Sequence, residues 1–122
     1  TDASIASRLS EIEIDIDAIE MIELKLLSDV QAGRNPGPIS SVLKLRGTET
    51  SQAITRLGVD VIGYDALVWE PRRPLYGLNE PPVLPEIELA VLPAHLDTRA
   101  ATIYGGTSEI QHEVIAKQML GL

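Results

Sequence analysis

Glu11-Ile12-Glu13-Ile14-Asp15-Ile16-Asp17 is the stretch on which the fold turns, because it supports two incompatible readings. Strict alternation of acid and isoleucine matches a half-buried β-strand, in which successive side chains point to opposite faces. The flanks decide the matter. Ile5, Leu9, Ile12, Ile16, Ile19, Ile22, Leu26 and Val30 recur every three or four residues, the spacing that lines up one side of an α-helix. The pattern outlasts any ordinary strand, which ends within roughly ten residues. The segment therefore reads as one long helix over residues 4–32. Asp2 or Ser4 can accept from the free amides at its start, and Gly33 followed by Asn35-Pro36 supplies the stop.

Gly37-Pro38 then turns the chain, and Ser40 or Ser41 can cap a second helix over residues 40–63. Its stripe runs Leu43, Gly47, Thr50, Ile54, Leu57 and Val61, and Gly63 ends it. Gly47 on that stripe costs about 1 kcal/mol of helix propensity relative to Ala, a cost offset where a neighbouring backbone comes close. Residues 64–93 change texture. Pro71, Pro74, Pro81, Pro82, Pro85 and Pro93 lack amide donors and restrict the residues before them, which excludes a long helix and predicts a proline-rich connection. A short helical turn is expected at residues 86–92 and another at 94–103. Gly105-Gly106 then breaks the chain, and Thr107-Ser108 open a last helix with Ile110, Val114, Ile115 and Met119 on its apolar side. Ser108 with Gln111 matches a capping box. The expected fold is all-α, an up-down helical bundle forming one domain over residues 1–122.

Composition agrees. With no Phe, one Trp and three Tyr, the core has to be aliphatic, which suits helix-on-helix packing. A net charge of -8 argues against nucleic acid, whose binding depends on Lys and Arg neutralising phosphates. The absence of cysteine removes disulfides and thiolate metal sites, and two histidines are too few for a metal cluster. No apolar run approaches the ~20 residues of a membrane span, and no basic segment precedes an apolar one, so a cytoplasmic location is expected. The start at Thr1, without an initiator Met, predicts a piece of something longer. Asp2, Glu11, Glu13, Asp15, Asp17, Glu20, Glu23 and Asp29 read as a solvated helix face, because they lack the tight turning loop of a cation site. Arg72-Arg73 read as a surface loop pair, and His95 and His112 as non-catalytic.

The stretch that carries chemistry is Thr102-Ile103-Tyr104-Gly105-Gly106-Thr107-Ser108-Glu109-Ile110-Gln111, continuing to Ile115-Ala116-Lys117 and Leu120-Gly121-Leu122. Two glycines let backbone approach a ligand, and the uncapped amides of the following helix present positive charge to an anion or to a carbonyl gaining negative charge. The whole string resembles the C-terminal signature of the acyl-CoA dehydrogenase family. The resemblance extends to Arg8-Leu9-Ser10-Glu11 and Ala32-Gly33-Arg34 on the first helix, and to Ser40-Ser41-Val42-Leu43-Lys44-Leu45-Arg46-Gly47-Thr48-Glu49 on the second. Only residues 64–92 lack a good counterpart.

The resemblance implies part of that family's C-terminal four-helix domain, without the N-terminal helical domain, the β-domain and the opening helix of the bundle. It also implies a parent that uses FAD to oxidise an acyl-CoA across its α and β carbons, working as a homo-oligomer or a heteromer. By the same resemblance Tyr104, Gly105 and Gly106 line the acyl-thioester pocket, and Thr107, Ser108 and Glu109 touch the flavin nucleotide. Many members carry the catalytic glutamate immediately after the tyrosine, where this chain has Gly105; members with glycine there often place the glutamate on the upstream bundle helix. No catalytic residue is therefore assigned within the chain. Asp60-Val61-Ile62-Gly63-Tyr64 departs where many members have a glutamine and a glycine pair approaching a neighbouring subunit's flavin diphosphate. An aspartate facing a diphosphate is repulsive, by about 1 kcal/mol at 4 Å in water. The alternative reading is a non-catalytic helical subunit of a heteromeric complex, to which Gly105 and Asp60 lend some weight.

Overall fold

The computed structural model describes residues 2–70, 79 and 81–122; Pro71, Pro74 and the Arg72-Arg73 pair lie outside the described residues. Four α-helices run in the order α1 (Ala3–Gln31), α2 (Ile39–Ile62), α3 (Glu86–Asp97) and α4 (Ser108–Ile115), with no strand among the described residues. A 3-10 turn follows α2 at Gly63–Leu67, a second follows α3 at Thr98–Thr102, and a π turn, Ala116–Leu120, extends α4.

The alternating acid–isoleucine stretch is helical throughout. Ile12 and Ile14 stand about 200° apart around a helix, so Ile12 is 8% exposed and Ile14 is 67% exposed. Asp2 caps α1 by accepting from the Ser4 amide at 2.9 Å, and Gly33 takes φ 69° beyond its end, as the sequence predicts. The caps of α2 differ. Pro38 holds the N-cap position, and neither Ser40 nor Ser41 caps it; Ser41 is instead buried inside the first turn. Gly63, with φ 70°, closes α2 where expected.

α2 is the axle of the molecule, in contact with α1, α3, α4 and the Thr98–Thr102 turn. Ile12, Leu45, Leu57, Ala66 and Ala101 form the buried core, and Arg46 ties α2 to α1 through Asp15 at 2.6 Å. α3 crosses α2 at Gly58. A Cβ there would sit 3.2 Å from Val91 Cγ1, whereas one on Gly47 would meet nothing within 4 Å. The close approach that would offset a glycine's cost thus falls at Gly58, about three helical turns further along the same helix. α3 also runs straight through Pro93, which the sequence treats as a breaker. The ring deprives the Leu89 carbonyl of its donor at a cost of about 3 kcal/mol, and packing against α2 offsets that loss.

The face of α1 turned away from α2 exposes Ile14, Met21, Leu24 and Leu27. An apolar groove of about 430 Å³ runs between α1, α2 and α3, lined by Leu9, Ile54, Gly58, Val61, Ile87 and Val91. Among the described residues no helix is long and apolar enough to cross a membrane.

Candidate functional site

The turn between α3 and α4 is built by a short succession of hydrogen bonds. The amides of Ile103 and Tyr104 both donate to the Ala100 carbonyl, at 2.9 and 3.1 Å, which winds the chain tightly before the glycines. Gly105 and Gly106 then adopt φ 67° and 92°, conformations that residues with a Cβ rarely take. Lys44, from the N-terminal part of α2, donates to the Ala101 carbonyl at 3.0 Å and anchors the near end of the turn. Gln111, from α4, reaches back six residues and donates to the Gly105 carbonyl at 3.1 Å.

Thr107 caps α4, its hydroxyl oxygen accepting from the Ile110 amide at 3.4 Å. This corrects the capping box expected from Ser108 and Gln111. With Thr107 as cap, the third helical position is Ile110, which has no polar group to return the bond. Gln111 is one residue further round and turns to the Gly105 carbonyl instead. Its Nε2 occupies the space that a Cβ on Gly106 would take, so a side chain there would make Gln111 shift.

Tyr104, Gly105, Gly106, Thr107, Ser108 and Glu109 are thus contiguous on one exposed turn, with Tyr104 62% exposed. The Gly106 N–H turns back toward the carbonyls of the preceding turn, and among the described residues the Gly105 N–H makes no hydrogen bond. Glu109 changes the electrostatics of this place. Its pKa is lowered, first by its own backbone N–H and then by the nearby Thr107 hydroxyl, with His112 and Lys44 adding attraction. A negative charge therefore already sits at the start of α4. The Gly105 N–H left over suits a neutral carbonyl better than the anion that a bare helix N-terminus would attract.

Asp60 is remote from this turn. Sixteen helical residues separate it from Lys44, about 24 Å along α2. Arg8 on α1 pairs with it at 2.9 Å and Arg56 at 3.3 Å, and the Arg8 hydrogen bond first, then Arg56, lowers its pKa. The repulsion expected between Asp60 and a phosphate is therefore already compensated within the chain. His95 is likewise elsewhere, 3.5 Å from the Thr55 hydroxyl, which in turn lies 3.2 Å from that of Thr98. Gln52 completes this staple between α2 and α3 by donating to the Thr98 carbonyl at 2.9 Å. His112 lies exposed on α4. Among the described residues no group of His, Asp and Glu is arranged to hold a metal ion.

The anchoring role of Lys44 is not legible in the sequence, because one lysine on an amphipathic helix has no signature. Gln111 was visible only as a supposed cap. Searches of curated proteins and of solved structures return no match. A family model described as the acyl-CoA dehydrogenase C-terminal domain matches residues 1–120. That span takes in the glycine turn and all four helices around it, and the chain belongs to the acyl-CoA dehydrogenase C-terminal domain family.

Proposed function

We propose that the chain is the C-terminal part of an FAD-dependent acyl-CoA dehydrogenase and supplies one wall of its flavin and thioester site. The observation that carries this reading is the turn at Gly105-Gly106, which among the described residues leaves the Gly105 backbone N–H unpaired beside an exposed tyrosine. Removing the α-proton of a thioester pushes negative charge onto its carbonyl oxygen, and an amide already in place to receive that charge lowers the barrier. Tyr104 offers a flat apolar surface to the acyl portion, with its hydroxyl at the outer edge.

The residues also fit the cofactor as one edge of its cradle. Glycine at 105 and 106 permits close approach, the Ser108 hydroxyl is free to donate or accept, and the Glu109 carboxylate can accept from hydroxyl or amino groups of a nucleotide. The chemistry that FAD would supply when bound here is acceptance of the β-hydride. The chain's own contribution is to bind and polarise the substrate. It brings no base to this turn: Gly105 carries no side chain, and Glu109, with its pKa lowered, is a poor proton acceptor. The base is accordingly assigned to a residue outside this chain.

The alternative, a catalytically silent subunit, loses one of its two supports now that Asp60 is paired with Arg8 and Arg56, and keeps only Gly105. The two readings separate in a dye-coupled oxidation assay over acyl-CoAs of graded length, using the longer protein that carries this domain. The dehydrogenase reading expects turnover of at least one thioester and a weaker KM in Tyr104→Ala. Stoichiometric flavin with no turnover of any thioester would favour the silent subunit.

A further inference from the structure

We infer that the outward seam of α1 is the seat of a basic amphipathic helix from another polypeptide, held by Ile14, Met21 and Leu24 and selected by Asp17 with Glu13 and Glu20. α1 has 29 residues, of which Ile12 alone is buried, and among the described elements α2 is its one substantial neighbour. Helices in proteins draw most of their stability from tertiary packing of an apolar face, so a second cover is expected on the side that α2 leaves open. On that side Ser10, Ile14, Asp17, Met21, Leu24 and Ser28 succeed one another in alternate steps of four and three residues, all of them exposed. This is the spacing of about 3.5 residues that marks a seam between two helices. Ile14, Met21 and Leu24, 67%, 65% and 52% exposed, are its apolar knobs.

Charge decides what the seam accepts. Asp17 stands within it, and Glu13 and Glu20, each directly before an apolar knob, line one edge. Among the described residues none of these three acids has an ion pair. Both cations of α1 are engaged elsewhere, Arg8 with Asp60 and Lys25 with Asp29, each at 2.9 Å. Glu13 and Asp17, four apart, and Asp17 and Glu20, three apart, repel one another on the free helix, a repulsion that a facing cation relieves. A polar residue within a seam and charges along its edges fix which helices pair. A second copy sets these acids against their own kind and so depends on salt. A helix with Lys or Arg opposite Asp17 and along the facing edge, and apolar residues opposite the knobs, satisfies both features at once. None of these residues belongs to the glycine turn, and the seat does not require flavin.

The probe is a designed helical peptide with Leu at its seam positions, one Lys opposite Asp17 and Lys along the facing edge. Two control peptides have Glu in place of Lys, or the same composition with the seam spacing scrambled. By fluorescence anisotropy the basic peptide should bind the 122-residue chain one to one, with an affinity that falls as salt rises. The ¹⁵N chemical shifts that move should lie along residues 10–28. Asp17→Lys should weaken the basic peptide by roughly tenfold or more and let the glutamate peptide bind, with the far-ultraviolet circular dichroism unchanged. A scrambled peptide that binds as strongly as the ordered one would reduce the effect to net charge and overturn the inference. So would an unaltered preference in Asp17→Lys, or shifts confined to the groove at Leu9, Val61 and Val91. A chain that stays self-associated with the peptide present would make a second copy the occupant instead. The longer flavoprotein should bind the peptide as the short chain does; binding by the short chain alone would mean that the parent covers the seam itself, which refutes a separate partner.

Discussion

Replacing Gly47 and Gly58 by alanine, separately, weighs two opposing effects on one helix. Both glycines lie inside α2, where Ala exceeds Gly in helix propensity by about 1 kcal/mol. At Gly47 the added methyl meets nothing within 4 Å, so Gly47→Ala should realise the whole gain. At Gly58 it meets Val91 Cγ1 at 3.2 Å and Cγ2 at 3.7 Å, close enough that α3 or the valine has to yield by a few tenths of an ångström. Val91 borders the 430 Å³ groove and has room to move. The cost is therefore set at about 0.5 kcal/mol, below the ~1–3 typical of overpacking in a closed core, and Gly58→Ala should stabilise by only about half as much as Gly47→Ala. Urea unfolding monitored by far-ultraviolet circular dichroism measures both. Adding Val91→Ala should abolish the difference between the two sites, since close neighbours couple and distant ones add. Equal gains at the two positions, or a loss at Gly47, would refute the placement of α3 across Gly58.

Thr50 is 4% exposed and, among the described residues, its hydroxyl has no hydrogen-bond partner. Thr50→Val should raise stability by about 1 kcal/mol, because an unpaired buried hydroxyl costs roughly that much or more; a destabilised variant would mean the hydroxyl is paired. Asp60 is held below the ordinary carboxylate value of 3.8, first by Arg8 and then by Arg56. The folded state thus binds the proton less readily than the unfolded state, so the stabilisation is complete above pH 3.8 and is lost as pH falls through the lower folded value. The stability difference between wild type and Asp60→Asn, measured by urea titration, should accordingly shrink from pH 5 to pH 3; a difference that grows would reverse the sign. Ile14, Met21, Leu24 and Leu27 are exposed on α1, beside Glu13, Asp17 and Glu20, for which no ion pair occurs among the described residues. Light scattering should find a dimer or larger species, strengthened by salt as the acids are screened; a monomer at micromolar concentration in both low and high salt would count against it.

What the sequence made legible followed from long-range repetition. The three-or-four spacing from Ile5 to Val30 overrode the local alternation at Glu11–Asp17, because a helix of that length accumulates signal that a seven-residue stretch cannot counter. Gly33, Gly63 and the Gly105-Gly106 pair marked real boundaries, since each needs a positive φ that only glycine takes easily. Tertiary details were not legible. The passage of α3 through Pro93 depends on how Val91 meets Gly58, a contact between residues 33 positions apart. The role of Asp60 turned on Arg8, more than fifty residues away, and the sequence gives no means of pairing the two. At the candidate site the six residues from Tyr104 to Glu109 were identified by motif, and the turn brings them together as one surface. Lys44 and Gln111, which shape that surface, were not, because their partners are backbone carbonyls that any residue could have offered.

The most direct test of the central claim compares this chain with the longer flavoprotein of which it is proposed to form part. Each is incubated with excess FAD, desalted and scanned for flavin absorbance, then assayed for dye-coupled oxidation of a panel of acyl-CoAs. A site of which this chain forms one wall buries too little of the flavin to retain it, since useful affinity requires most of a ligand to be enclosed. The chain should leave the column colourless and inactive, and the longer protein should keep about one flavin per subunit and turn over a thioester. Flavin retained stoichiometrically by the 122-residue chain, or a longer protein that holds none, would contradict the account.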